Sequence, residues 1–79
     1  MEIVHNGPVP PYRQIARWLR DRIQAGEFAP DRDPLPSRKA ISQETGVALT
    51  TVDRALAVLE EDGLAYPVPG RGWFVRPAE

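Results

Sequence analysis

The sequence predicts a mainly α domain (α+β) in which three helices precede a small two-stranded β-hairpin. Apolar residues at helical spacing indicate two of the helices, because they form a stripe along one helix face. These stripes consist of Ile15, Trp18, Leu19 and Ile23, and of Val52, Ala55, Leu56 and Leu59. The hairpin is indicated by Pro-Gly-Arg-Gly at residues 69–72, since proline and glycine together are typical of a tight turn.

The first helix is expected to run from Pro11 or Tyr12 to Ala25. Pro11 suits the first turn of a helix, where its missing amide proton costs nothing. The prolines of residues 1–11 predict a flexible, extended N-terminal arm. We expect the domain itself to span residues 12–76, and residues 77–79 to form a tail or the start of a linker to an effector domain.

The second helix is predicted at residues 38–45, with Ala40 and Ile41 facing inward. Ser37 is the expected N-cap, because its hydroxyl accepts a hydrogen bond from an amide one turn into the helix. Gly46 is the expected C-terminal stop, because glycine adopts the left-handed conformation at no steric cost.

The third helix is predicted to begin between Ala48 and Thr50 and to end at Asp62. Thr-Thr-Val-Asp at residues 50–53 resembles a capping box, with aspartate in place of the commoner glutamate. Two helices joined by a tight glycine turn are the core of a helix-turn-helix, whose second helix enters a DNA major groove.

The hairpin is expected to pair residues 64–66 with residues 73–75. Proline has no amide proton to donate, so Pro67 and Pro69 are expected to limit the pairing. A very short edge strand is expected near Leu35. Two short strands after a helix-turn-helix form a wing, which reaches a minor groove or the phosphate backbone.

Composition excludes several classes of protein. The chain has no cysteine, so disulfides and thiolate metal sites are excluded, and its single histidine lies in the arm. No apolar run approaches the roughly 20 residues that span a bilayer. We therefore expect a cytoplasmic protein without a cofactor, a metal or a membrane, and no enzymatic activity, since no nucleophile–base pair or glycine-rich phosphate loop is present.

The charge balance makes the placement of the arginines important. Ten basic and eleven acidic residues give a net charge of −1, whereas nucleic-acid-binding domains are usually basic. Phosphate contacts need only a local positive face. Such a face is expected from Arg38 and Lys39 in the second helix, Arg54 in the third and Arg71 at the hairpin tip. This pattern predicts a sequence-specific DNA-binding transcription regulator.

From Tyr12 to Val75 the chain resembles the winged helix-turn-helix domain of the GntR family of bacterial transcription regulators. The matching segments are Pro11-Tyr12, Gln14-Ile15-Ala16, Leu19-Arg20, Ile23, Gly26-Glu27-Phe28, Pro30, Leu35-Pro36-Ser37, Gly46-Val47, Thr51-Val52, Ala55-Leu56, Leu59, Asp62-Gly63-Leu64, Gly70-Arg71-Gly72 and Phe74-Val75. The resemblance implies homodimers on palindromic double-stranded DNA operators. It also implies a small-molecule effector only where a C-terminal domain follows.

The resemblance also implies which residues contact DNA. Lys39 corresponds to the contact from the second helix, and the wing contact corresponds to Gly70, Arg71 and Gly72. The third helix, residues 49–62, is expected in the major groove, and residues 68–72 on the minor groove or backbone. The contacts implied for that helix are Leu49, Thr50, Thr51 and Asp53.

The chain departs from the family at two of these positions. Leu49 and Asp53 stand where the family commonly has arginines, and Arg54 is expected to take over a phosphate or base contact. An exposed leucine also serves as an anchor for another protein. The alternative hypothesis is therefore a winged helix that binds a protein partner instead of DNA.

Overall fold

The computed structural model describes residues 1–77, which form three helices and one antiparallel hairpin, as predicted. The elements in chain order are α1 (Pro11–Gln24), α2 (Arg38–Thr45), α3 (Leu49–Glu61), β1 (Ala65–Val68) and β2 (Gly72–Val75). The predicted tail at residues 77–79 lies outside the described residues beyond Pro77. Within residues 1–77, no helix is both long enough and apolar enough to span a bilayer.

A single apolar core joins all the elements. α3 packs against α1, α2 and β1, so the third helix lies at the centre of the domain. The predicted stripe of α3 is fully buried, and α1 supplies Ile15, Ala16 and Leu19 to the same cluster. Trp18 and Ile23 are only half-buried and border the cluster.

The predicted caps of α2 are confirmed. The Ser37 hydroxyl accepts a hydrogen bond from the amide of Ala40 at 3.0 Å, and Gly46 ends the helix with a φ of +73°. The expectation that Ala40 faces inward is wrong, because Ala40 is exposed while Ile41 and Thr45 are buried. Those two residues are four apart and define the buried line of the helix, from which Ala40 is rotated by about 100°.

The capping box predicted at residues 50–53 is also wrong. The N-cap of α3 is Ala48, and no side chain accepts a hydrogen bond there. The helix starts at Leu49, so Thr50 lies inside its first turn and cannot cap it. The carboxylate of Asp53 instead pairs with Arg38.

The hairpin extends further than its prolines suggested. β1 contains Pro67, which lies opposite Trp73. The carbonyl of Trp73 accepts a hydrogen bond from the amide of Leu35 at 2.8 Å, so it points away from β1. The missing amide of Pro67 therefore leaves no partner unsatisfied. The edge strand expected near Leu35 is present as a one-residue bridge between Pro34 and Phe74.

The N-terminal arm is attached to α1 through one side chain. The amide group of Gln14 donates to the carbonyls of Val4 and Val9 at 2.7 and 2.8 Å. Its oxygen accepts a hydrogen bond from the amide of Val4 at 2.9 Å. Residues 1–10 contain no helix or strand, as their prolines predicted.

Candidate nucleic-acid interface

α3 carries five of the ten predicted contact residues, four of them on its outward face. Leu49 and Asp53 are four residues apart, as are Thr50 and Arg54, so each pair is aligned along the helix surface. Thr51 is half-buried and lies at the edge of this face. Leu49 is 42% exposed, as a residue that contacts a partner must be. The acidic residues at the other end of α3 lie about 18 Å from Leu49, at 1.5 Å per residue.

An ion pair connects the start of α2 with this face. Arg38 Nη2 donates to Asp53 Oδ2 at 2.8 Å, and Arg38 Nε donates to Oδ1 of the same carboxylate. The hydrogen bond and the nearby negative charge raise the pKa of Arg38 above its ordinary value. The guanidinium therefore remains charged, and its side chain is held against α3.

A groove runs between the start of α2 and the wing. It has a volume of about 720 Å³, and its walls include Arg38, Lys39, Gly70, Arg71 and Gly72. The rest of its lining is residues 34–37 before α2 and the wing residues Pro67, Val68, Pro69 and Trp73. Among residues 1–77, Lys39 and Arg71 have no carboxylate within ion-pair distance. The groove thus exposes two uncompensated positive charges to solvent.

The turn at the tip of the wing depends on its glycine. The amide of Arg71 donates to the carbonyl of Val68 at 2.9 Å. Pro69 and Gly70 occupy the two central positions, and Gly70 has a φ of +76°. This combination is typical of a type II turn, which requires positive φ at its third residue. The turn leaves the Arg71 side chain exposed.

Arg54 lies against an aromatic ring that the sequence did not associate with it. Its guanidinium carbon is 4.0 Å from the centroid of the Tyr12 ring, a cation–π contact. The two residues line a depression of about 350 Å³ with Thr50, Thr51 and Pro11. The Tyr12 ring bears no charge, so this contact places Arg54 beside the first turn of α3 without a carboxylate partner among residues 1–77.

A hydrogen bond between β1 and the loop before α2 connects the wing to the rest of the domain. The hydroxyl of Tyr66 in β1 donates to the carboxylate of Asp31, and the guanidinium of Arg76 lies 4.9 Å from the Tyr66 ring centroid. This hydrogen bond is the largest cause of the raised pKa of Tyr66, followed by burial and by the charge of Asp31. Asp31 itself has a positive φ of +63°. The loop before α2 is thereby attached to the hairpin.

The structure brings eight of the ten predicted contact residues to two places and leaves Leu49 and Asp53 outside both. Arg38, Lys39 and the wing line the groove, while Thr50, Thr51 and Arg54 line the depression. Tyr12 was missed as a member of this surface, because the sequence indicated it only as a start of the first helix. Tyr12 and Arg54 are 42 positions apart, and no local pattern reports a contact over that separation.

The helices, the wing and the cation-lined groove between α2 and the wing define a winged helix-turn-helix domain of the DNA-binding class. The chain belongs to the gntR family of bacterial regulatory proteins, whose family model matches residues 11–75. The resemblance seen in the sequence is therefore confirmed.

Relatives of known name support the same conclusion. The chain is 41% identical over 75 residues to the HTH-type transcriptional repressor NagR of Bacillus subtilis (strain 168), covering 95% of this chain and 30% of NagR. It is 40% identical over 70 residues to the mannosyl-D-glycerate transport/metabolism system repressor MngR of Escherichia coli (strain K12), covering 89% and 29%. The chain thus spans less than a third of the length of either repressor.

Solved structures share the fold over nearly the whole chain. AraR(DBD) in complex with operator ORX1 superposes with a TM-score of 0.84 and 31% identity, covering 95% of each chain. YtrA from Sulfolobus acidocaldarius, a GntR-family transcription factor, superposes with a TM-score of 0.83 and 31% identity, covering 98% of this chain and 80% of YtrA.

Proposed function

We propose that this chain is the sequence-specific DNA-binding module of a transcription regulator. In this proposal α3 lies in the major groove and the wing lies on the neighbouring minor groove or backbone. The observation that carries it is the groove in which Lys39 and Arg71 expose uncompensated charge between the start of α2 and the wing. Arg38 lines the same groove and pairs with Asp53 of α3, so in this proposal a duplex in contact with α3 brings its phosphates toward both cations.

Eight of the ten predicted contact residues have a role in this arrangement, and the other two, Arg38 and Asp53, form an ion pair with each other. Lys39 and Arg71 contact phosphates, and the small Gly70 and Gly72 let the backbone of the wing approach the duplex. Leu49 contacts a thymine methyl group, and Thr50 and Thr51 lie at the helix end that meets bases. Arg54, supported by Tyr12, contacts a phosphate beside α3.

The rest of the regulator is inferred from the family. We propose a homodimer on a palindromic operator in the cytoplasm, with a small-molecule effector bound by a further domain outside this chain. The chain spans 30% of NagR and 29% of MngR, which leaves room for such a domain in those relatives. The alternative of a protein-binding winged helix is not favoured, because the similar AraR(DBD) was solved in complex with an operator.

The test is selection from a pool of duplexes that contain a random central segment, followed by binding measurements on the enriched sequence. We expect enrichment of a short site, and we expect Thr50→Glu to abolish binding because a carboxylate then faces the bases. Gln24→Glu is the matched control, since it adds the same charge at the exposed end of α1.

Two results would contradict the proposal. One is a pool from which no sequence is enriched at low salt. The other is equal binding by Thr50→Glu and by the wild-type chain, which would place α3 away from the duplex.

A further inference from the structure

The Arg38–Asp53 pair leaves one edge of the guanidinium available. Arginine has five N–H donors in a planar fork. The Nε proton and one Nη2 proton are used by the two oxygens of Asp53. The other Nη2 proton and both Nη1 protons remain, and two of them point in parallel from the end of the side chain. This is the geometry that fits two acceptors side by side.

The pair lies where bases are read. Asp53 follows Leu49 by one helical turn, so it belongs to the outward face of α3. Arg38 reaches that face from the first turn of α2, with its side chain 49% exposed and that of Asp53 45% exposed. An ion pair this exposed adds little to stability, and solvent or a ligand can reach both side chains.

The two opposite charges of the pair favour a neutral base over a negatively charged phosphate as the ligand of Arg38. The Asp53 carboxylate compensates the guanidinium and would repel a phosphate brought close to Arg38. The O6 and N7 atoms of guanine are neutral acceptors on the major-groove edge, and an arginine fork matches both. Lys39 and Arg71, which lack such a carboxylate among residues 1–77, are better suited to phosphates.

We infer that Asp53 positions Arg38 to read a guanine in the major groove. The inference rests on the proposed function and deepens it. The arginines that the family carries at positions 49 and 53 are then replaced by an arginine from α2, held in place by an aspartate of α3. Asp53 is a positioning residue, and Arg38 is the residue that specifies the base.

The test measures the base preference of each protein variant by fluorescence anisotropy. The duplexes are the one that the wild-type chain selects and the single-base variants of that duplex. Arg38→Met removes every donor of the fork at similar length, so it should lower the preference for one guanine by about 5- to 150-fold. Asp53→Asn should lower the same preference while leaving the unfolding temperature nearly unchanged. Lys39→Ala is the control, and it should weaken binding to all of these duplexes by the same factor.

A second measurement needs no variant of the protein. Replacing that guanine by 7-deazaguanine removes the N7 acceptor, and it should weaken binding of the wild-type chain but not of Arg38→Met, which has no donor at this position. If Arg38→Met ranks the single-base variants as the wild-type chain does, this inference is overturned and the proposed function stands. If the wild-type chain selects no sequence, both are overturned.

Discussion

Removing the two uncompensated cations of the groove should flatten the salt dependence of DNA binding. Each neutralised phosphate contributes about 0.9 to the slope of log affinity against log salt. If Lys39 and Arg71 each contact one phosphate, the double substitution Lys39→Ala/Arg71→Ala should reduce the slope by about 1.8 per bound copy. Between 50 and 200 mM salt, the loss of affinity should then be about 12-fold smaller than for the wild-type chain.

The assay is anisotropy of a labelled duplex at several salt concentrations. Arg17→Ala/Arg20→Ala is the matched control, since it removes two exposed charges from α1 that do not line the groove. Arg38→Ala offers an internal comparison, because Asp53 already compensates its charge and the slope should change far less. A slope that the groove variant leaves unchanged, or that the control reduces equally, would refute this assignment of the phosphate contacts.

Three further predictions concern folding. Leu56 is fully buried, so Leu56→Ala should lower the free energy of unfolding by about 2–5 kcal/mol, measured by denaturant titration. An unchanged midpoint of the titration would contradict this prediction. Ser37→Ala should lower the free energy of unfolding by about 1 kcal/mol, because the amide of Ala40 loses its acceptor. A variant that loses DNA affinity but no stability would argue against the capping role of Ser37. The pKa of Tyr66 is raised in the folded state by its hydrogen bond to Asp31. The stability from this bond is therefore complete below the ordinary tyrosine pKa and is lost as pH rises through the folded value. Unfolding above pH 10 should be less pH-dependent in Tyr66→Phe, and identical alkaline profiles would contradict the contact.

The helices were predictable because their signals are local. The stripe of α3 repeats at helical spacing, and Ser37 and Gly46 satisfy geometric demands that arise within one turn of chain. The bounds of α1 and α3 fall within one residue of those expected. The capping box failed for a local reason as well, since the helix began one residue before Thr50.

The hairpin was predicted less well because its pairing depends on a distant segment. Pro67 would interrupt the hydrogen-bond ladder of the hairpin if the carbonyl of Trp73 in β2 pointed toward β1. The Leu35 amide takes the carbonyl of Trp73 instead, so the strand continues through Pro67. Nothing near residue 67 in the sequence indicates which way that carbonyl points.

The same difference between local and distant signals applies to the candidate site. The sequence by itself determined that α2 and α3 form a helix-turn-helix and that a wing follows. Only the tertiary structure decided the partners of the charged side chains on this surface. It places Asp53 against Arg38 across the helix turn and Tyr12 beneath Arg54. Periodicity reports which face of a helix is buried, whereas the partner of an exposed charge depends on how the helices pack.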